Sequence, residues 1–177
     1  MPSGHAHDAI TILLAAPAAV ITYAWTRDLP TTAIVAVAFI FAGVMFGPDL
    51  DTKSKQYSRW GPLRLIWIPY RTIFRHRSRW SHGLIFGTLF RVVYFLGVAT
   101  LITFAGMAVY SYATAGSLPS LANLVRGWES IGMSVGAGST LEIVLAVLAG
   151  LWAGAASHTL TDIAITYIKT GRVDALL

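Results

Sequence analysis

Four long apolar stretches, separated by polar or charged segments, set the pattern of this chain. They cover residues 9–25, 31–47, 83–113 and 141–168. Each of the first two is about 17 residues, roughly 25 Å as a helix, at the short end of what crosses a bilayer. Pro17 is expected to kink the first. Leu29-Pro30 leaves so little connection that the first two should form a hairpin. The third is interrupted only by Arg91, about two turns in, close enough to an end for its guanidinium to snorkel. The fourth holds His158 and Asp162, both costly in hydrocarbon. The pattern predicts an all-α fold in one domain, residues 1–177: an integral membrane helical bundle with about four transmembrane helices.

The segments between the stretches refine this picture. Residues 48–82 contain WGPLRLIWIPYRTIFRHR, where aromatic and aliphatic side chains alternate with Arg64, Arg71, Arg75 and Arg77. Pro62 and Pro69 break it, and it is too charged to span. It is expected to lie in the membrane interface as a basic segment, with Trp60, Trp67 and Tyr70 at headgroup depth. Residues 114–140 carry only Arg126 and Glu129 as charges and are expected to form an outer loop. The start, MPSGHAHDAI, lacks a basic n-region, so the first stretch reads as a retained helix rather than a secretory signal.

Composition supports a bilayer as solvent. Charged residues make up 12%, half of the roughly 25% usual for a soluble domain. The absence of cysteine excludes disulfides, thiolate ligands and iron–sulfur clusters. Any metal must then be held by His, Asp, Glu or backbone oxygen. That favours a divalent metal, zinc first, with manganese, iron or magnesium as alternatives. A net charge of +5 raises nucleic acid as a partner. However, eight of the 13 Lys and Arg lie between Lys53 and Arg79, which reads as a positive-inside signal and contact with membrane lipid. The 48–82 segment and both termini are therefore expected in the cytoplasm, with 114–140 outside, and nucleic acid is not the favoured partner.

On that map all five histidines, His5, His7, His76, His82 and His158, fall at one level with Asp8, Asp49, Asp51 and Asp162. His158 and Asp162 are four apart and project from one helical face. In apolar surroundings they need a partner, either a metal or each other. Asp49 and Asp51 stand in GPDLD, where Pro48 ends the second helix. An extended Asp-x-Asp points both carboxylates one way, towards a cation. The alternative, solvated acids at a helix C-terminus, opposes the dipole. His76 and His82 are six apart and cannot share a helical face. His76 should precede the third helix, with Ser81 as its cap and His82 in its first turn; the alternative is a pair of interfacial histidines beside arginines. Arg77 and Arg79 suit an anionic group such as phosphate, or simple positive-inside charge. On a helix starting near Ser3, His5 and Asp8 share a face and His7 points away. In an extended segment His5 and His7 share a side, and the sequence leaves open which of them binds.

The stretches PDLDTKS, RWGPLRLIWIPYR, HRSRWSHG and ASHTLTD resemble a family of predicted metal-binding membrane proteins. That family is related to the inner-membrane metal-dependent hydrolases and distantly to zinc-dependent phospholipase C. The resemblance covers most of the chain and is weakest over 114–140. It implies His7 with Asp8, Asp49 with Asp51, His76 with His82, and His158 with Asp162 as the metal residues. Ser78, Trp80 and Ser81 depart from the H-R-G-x-T-H-S form of the motif. The expected function is a metal-dependent hydrolase at the cytoplasmic interface, acting on an anionic phosphoester or lipid-like substrate. Asp49 or Asp51 would be ligand or general base, and Arg77 would face developing charge. The rival is a non-enzymatic protein whose metal staples the helices. A transporter would need polar residues across the midplane, which the first three stretches almost entirely lack.

Overall fold

A computed structural model describes residues 3–76, 78, 80–136 and 138–171. Its helices begin and end where local chemistry permits. Helix α1 (Gly4–Thr26) starts after Ser3, whose Oγ accepts from the Ala6 N–H at 3.3 Å. It runs through Pro17 and ends at Arg27, which takes a positive φ of 54°. Asp28 then caps α2 (Leu29–Val44), accepting from the Thr31 N–H at 2.7 Å, with Pro30 in the first turn where no N–H is needed. The expected tight hairpin follows. After α2 come a 3₁₀ turn (Pro48–Asp51), α3 (Lys55–Arg59), a second 3₁₀ turn (Gly61–Trp67) and α4 (Ile68–Ile73). The chain finishes with α5 (Phe86–Ala115), α6 (Leu121–Val135) and α7 (Ser139–Thr170). Among the described residues every regular element is helical. Four helices, α1, α2 with the turn that continues it, α5 and α7, are long and apolar enough to cross a membrane.

Helix α2 lies between α1 and α7, and small residues set how closely they approach. A Cβ on Gly150 would sit 2.5 Å from the Val35 carbonyl oxygen, and one on Gly154 only 2.1 Å from that of Phe39. On the other flank, a Cβ on Gly43 would sit 2.4 Å from Thr11 Oγ1. Close backbone packing of this kind holds helices together where lipid removes the hydrophobic drive between them. The outward positions stay apolar and exposed, among them Leu13, Val20, Val37, Leu101, Ile102 and Leu145. Helix α5 stands at the margin of this group and joins it through aromatic residues in its N-terminal half.

Three expectations are corrected. Residues 48–76 do not form one flat segment with Trp67 and Tyr70 turned outward. Pro62 and Pro69 divide the segment into short turns, and these fold the rings inward over the end of the bundle. Trp67 and Tyr70 are fully buried with Phe46, Leu50 and Tyr57. The Trp67 ring lies 5.2 Å from Trp60, 5.5 Å from Phe46 and 6.0 Å from Phe95. Leu63, Leu65, Ile68, Ile73 and Trp80 remain exposed, together with Arg64. Secondly, 114–140 is not all loop, because Ser120 caps the fifteen-residue α6. Thirdly, Arg91 does not snorkel: its side chain turns inward and is fully buried.

Candidate metal centre

Four segments converge at one end of the bundle: the first turn of α1, the 3₁₀ turn after α2, the connection before α5 and the C-terminal half of α7. On α7, His158 and Asp162 continue at intervals of four the line begun by Gly150 and Gly154. The face pressed against α2 therefore carries both side chains into the junction, where they are buried. On α1, His7, Thr11 and Ala15 form the buried stripe. The His7 ring stacks on His158 with centroids 3.8 Å apart and planes 10° from parallel. His5 and Asp8 do share the other face of α1. There His5 Nε2 lies 2.5 Å from Lys55 Nζ, and Arg59 donates to both Asp8 oxygens at 2.8 and 2.5 Å. Asp8 is thus held by a guanidinium at the margin of the centre.

The Asp49-x-Asp51 motif is a 3₁₀ turn and not the expected extended segment. Pro48 presets the helical φ. Gln56 Oε1 accepts from the Asp49 N–H at 3.1 Å, and the Ser54 hydroxyl donates to the Asp49 carbonyl at 2.8 Å. Gly47 leaves the room for Gln56, since a Cβ there would lie 2.3 Å from its Nε2. The two carboxylates consequently do different things. Asp49 reaches two groups at once, with Oδ2 3.5 Å from His158 Nε2 and Oδ1 3.5 Å from His82 Nε2. Asp51 stands behind the histidines, with Oδ1 2.7 Å from His76 Nδ1 and Oδ2 3.4 Å from His82 Nδ1.

Two sets of three donors result, His7–His158–Asp162 and Asp49–His76–His82, each with ligand atoms within 4.8 Å of one another. His7 Nε2 is 3.3 Å from Asp162 Oδ1, and His158 Nε2 is 3.8 Å from Asp162 Oδ2. Such separations exceed a good N–H···O hydrogen bond of about 2.7–3.2 Å. Donors about 2.0–2.1 Å from a shared zinc-sized cation would stand roughly 3.4 Å apart along a tetrahedral edge. Among the described residues, His82 Nε2, His158 Nε2 and both Asp162 oxygens are buried without a hydrogen-bond partner. Buried polar atoms left unpaired are costly, and a cation in each set would satisfy them. The donor set therefore fits divalent metal.

Supporting contacts come from residues for which the sequence suggested no role at the centre. Arg91 Nη1 donates to the Ser81 carbonyl at 2.7 Å, and Nη2 to Thr88 Oγ1 at 3.2 Å. Thr159 Oγ1 donates to the His82 carbonyl at 3.2 Å. Together they fix the backbone that presents His82. Helix α5 starts only at Phe86 with no side-chain cap, so Ser81 is not its cap and His82 precedes the helix. Ser81 Oγ instead approaches His82 Nδ1 at 3.1 Å. Burial works against the charged form of His82, but Asp49 and Asp51 outweigh it and hold the imidazole pKa above its usual value. Gln56 is the other missed residue. Its Nε2 donates to the Gly43 carbonyl at 2.8 Å and faces His158 Nδ1 at 3.3 Å. Gln56 stands five residues after Asp51 and seven after Asp49, and nothing local marks it.

One side of the centre is open. A cavity of about 180 Å³ lies between His7, Asp49 and His158 on one wall and Gly4, Asp8, Ser54, Lys55 and Gln56 on the other. His76 is exposed at the second set. Arg77 and Arg79, expected to face an anionic group, lie outside the described residues.

No curated protein and no solved structure matches this chain. A family model described as "uncharacterized metal-binding protein (DUF2227)" matches residues 2–172, so the chain belongs to that metal-binding family.

Proposed function

We propose that this chain is an integral membrane hydrolase that holds two divalent cations, zinc first, at its cytoplasmic interface. One cation would sit among His7, His158 and Asp162, and the other between His76 and His82. Asp49 would give one oxygen to each. The observation that carries the reading is the cavity of about 180 Å³ beside His7, Asp49 and His158, which leaves the ligand set open to an entering group.

When bound there, divalent metal supplies Lewis acidity and lowers the pKa of water. The chain's own residues do the rest. Asp51 Oδ1 takes His76 by Nδ1, which points its Nε2 forward and raises ligand basicity, and Asp51 Oδ2 lies 3.4 Å from His82 Nδ1. Gln56 locks the turn that presents Asp49. Because Gln56 Nε2 is a donor facing His158 Nδ1, that contact places the His158 proton on Nε2, between Asp49 and Asp162. A cation held at Nε2 would require that proton on Nδ1, where Gln56 Nε2 could no longer donate. The basic residues of 48–82 support a cytoplasmic position for this face. Exposed Leu63, Leu65 and Ile73 beside Arg64 suit contact with lipid headgroups, and so a phosphoester or lipid-like substrate.

A structural role is the second reading. Its support is that the donors come from four separate segments and most are buried, as in a metal that staples a fold. Metal-loaded protein screened against phosphomonoesters, phosphodiesters, phospholipids and carboxyl esters separates the two. The hydrolase reading expects turnover that disappears with metal in His158→Ala. A blank screen from fully loaded protein would remove the hydrolase and leave the staple.

A further inference from the structure

We infer that the cavity beside the centre is an anion subsite in which Lys55 binds a dianionic phosphate group of the phosphate-monoester class. This rests on the two-cation reading above. Three carboxylates, Asp49, Asp51 and Asp162, serve the centre. Two divalent cations would exceed them by one positive charge, beside donors most of which are buried, where water screens charge less than at the surface. An entering anion neutralises the excess. With no cation the same carboxylates repel it, so phosphate binding is coupled to metal loading.

The cavity wall points the same way. It carries one acid besides Asp49, namely Asp8, and Arg59 already neutralises that carboxylate with two hydrogen bonds. It carries one cation, Lys55, which among the described residues has no carboxylate partner within ion-pair distance. The only polar contact described for Lys55 is with His5 Nε2, an uncharged acceptor when it receives the ammonium proton. Gly4 seats the lysine stem, since a Cβ there would lie 2.8 Å from Lys55 Cδ. At about 180 Å³ the cavity is below the roughly 300–1,000 Å³ of sites that enclose drug-sized ligands. Only the phosphate and the first atoms of its ester enter, and the remainder of the molecule stays outside.

Inorganic phosphate titrated calorimetrically into the zinc-loaded, full-length protein in non-ionic detergent tests this, with metal content measured on the same samples. Wild-type protein is expected to bind phosphate only when loaded. Lys55→Ala weakens that binding roughly tenfold or more at unchanged metal content, the loss of a charge-assisted contact. Lys55→Arg retains most of it, and Lys53→Ala, outside the cavity, is neutral. A second arm adds a short-chain phosphatidate to the same micelles. Tighter binding than phosphate assigns the subsite to a lipid headgroup, and weaker binding assigns it to a soluble monoester. Fully loaded wild-type protein without phosphate affinity would overturn the subsite while leaving the metal centre intact, as would undiminished binding by Lys55→Ala. Protein that takes up no metal would overturn both.

Discussion

Gly154→Ala adds one methyl group more than a helical turn from any metal donor, yet it should empty part of the centre. The added Cβ would stand 2.1 Å from the Phe39 carbonyl oxygen, 2.9 Å from its carbon and 3.0 Å from Ala42 Cβ. Ordinary contacts of this kind begin near 3.4 Å, so α7 must retreat from α2 by about 1 Å. The first two obstacles are backbone and have no rotamer to change. His158 lies one turn further along the same face and moves with α7, while Asp49 is tied to the end of α2. Metal–ligand distances tolerate only about 0.2 Å. A 1 Å displacement would therefore break the proposed site at His158, Asp162 and Asp49, besides an overpacking cost of about 1–3 kcal/mol. The assay is metal content per chain and thermal midpoint in detergent, with Gly97→Ala as control, because a Cβ there meets nothing within 4 Å. Gly154→Ala is expected to lose at least one metal ion and several degrees, and Gly97→Ala neither. Gly154→Ala protein with wild-type metal content and affinity would refute the reasoning that close α2–α7 packing positions the ligands.

Three further outcomes follow from the same geometry. Arg91→Met removes the guanidinium that holds the Ser81 carbonyl, and should cost about 1.5–3 kcal/mol and weaken metal binding at the His82 set, read by unfolding and metal titration. His82 has a raised pKa in the metal-free protein, so its protonated form stabilises the fold below the usual histidine pKa, near 6.5, and that contribution is lost as pH rises through the raised value. Metal must displace this proton: calorimetry in buffers of different ionisation enthalpy should show proton release near neutral pH, and apparent affinity should fall as pH is lowered. Cysteine labelling of Lys53→Cys from the cytoplasmic side and Ser120→Cys from the outside checks the orientation, and the reverse pattern would contradict it.

Sequence pattern carried the helices because their causes are local. Ser3 and Asp28 are polar caps at the edge of apolar runs, and Pro30 can stand only in a first turn. The meeting of His7, Asp49, His76, His82, His158 and Asp162 was also visible as a shared depth, once four spans were drawn. What stayed hidden depends on tertiary contact. Trp67 and Tyr70 look interfacial by type, and only the folding of the Pro62 and Pro69 turns makes them core. The turn at Pro48–Asp51 owes its shape to Gln56 and Ser54, so the divergence of Asp49 from Asp51 cannot be read from Asp-x-Asp alone. Arg91 near a helix end suggests snorkelling, but the Ser81 carbonyl offers it a buried acceptor. Which face of α1 turns inward was undecidable between His5 and His7, because Gly43 and Thr11 set the rotation of that helix.

The central claim is a two-cation centre bridged by Asp49, and counting metal tests it most directly. Protein purified in detergent, freed of metal, reloaded with zinc and stripped of excess should carry two ions per chain by elemental analysis. Asp49→Ala should retain at most one, and His5→Ala should keep both. Wild-type protein that saturates at a single ion, or Asp49→Ala that still holds two, would contradict the account.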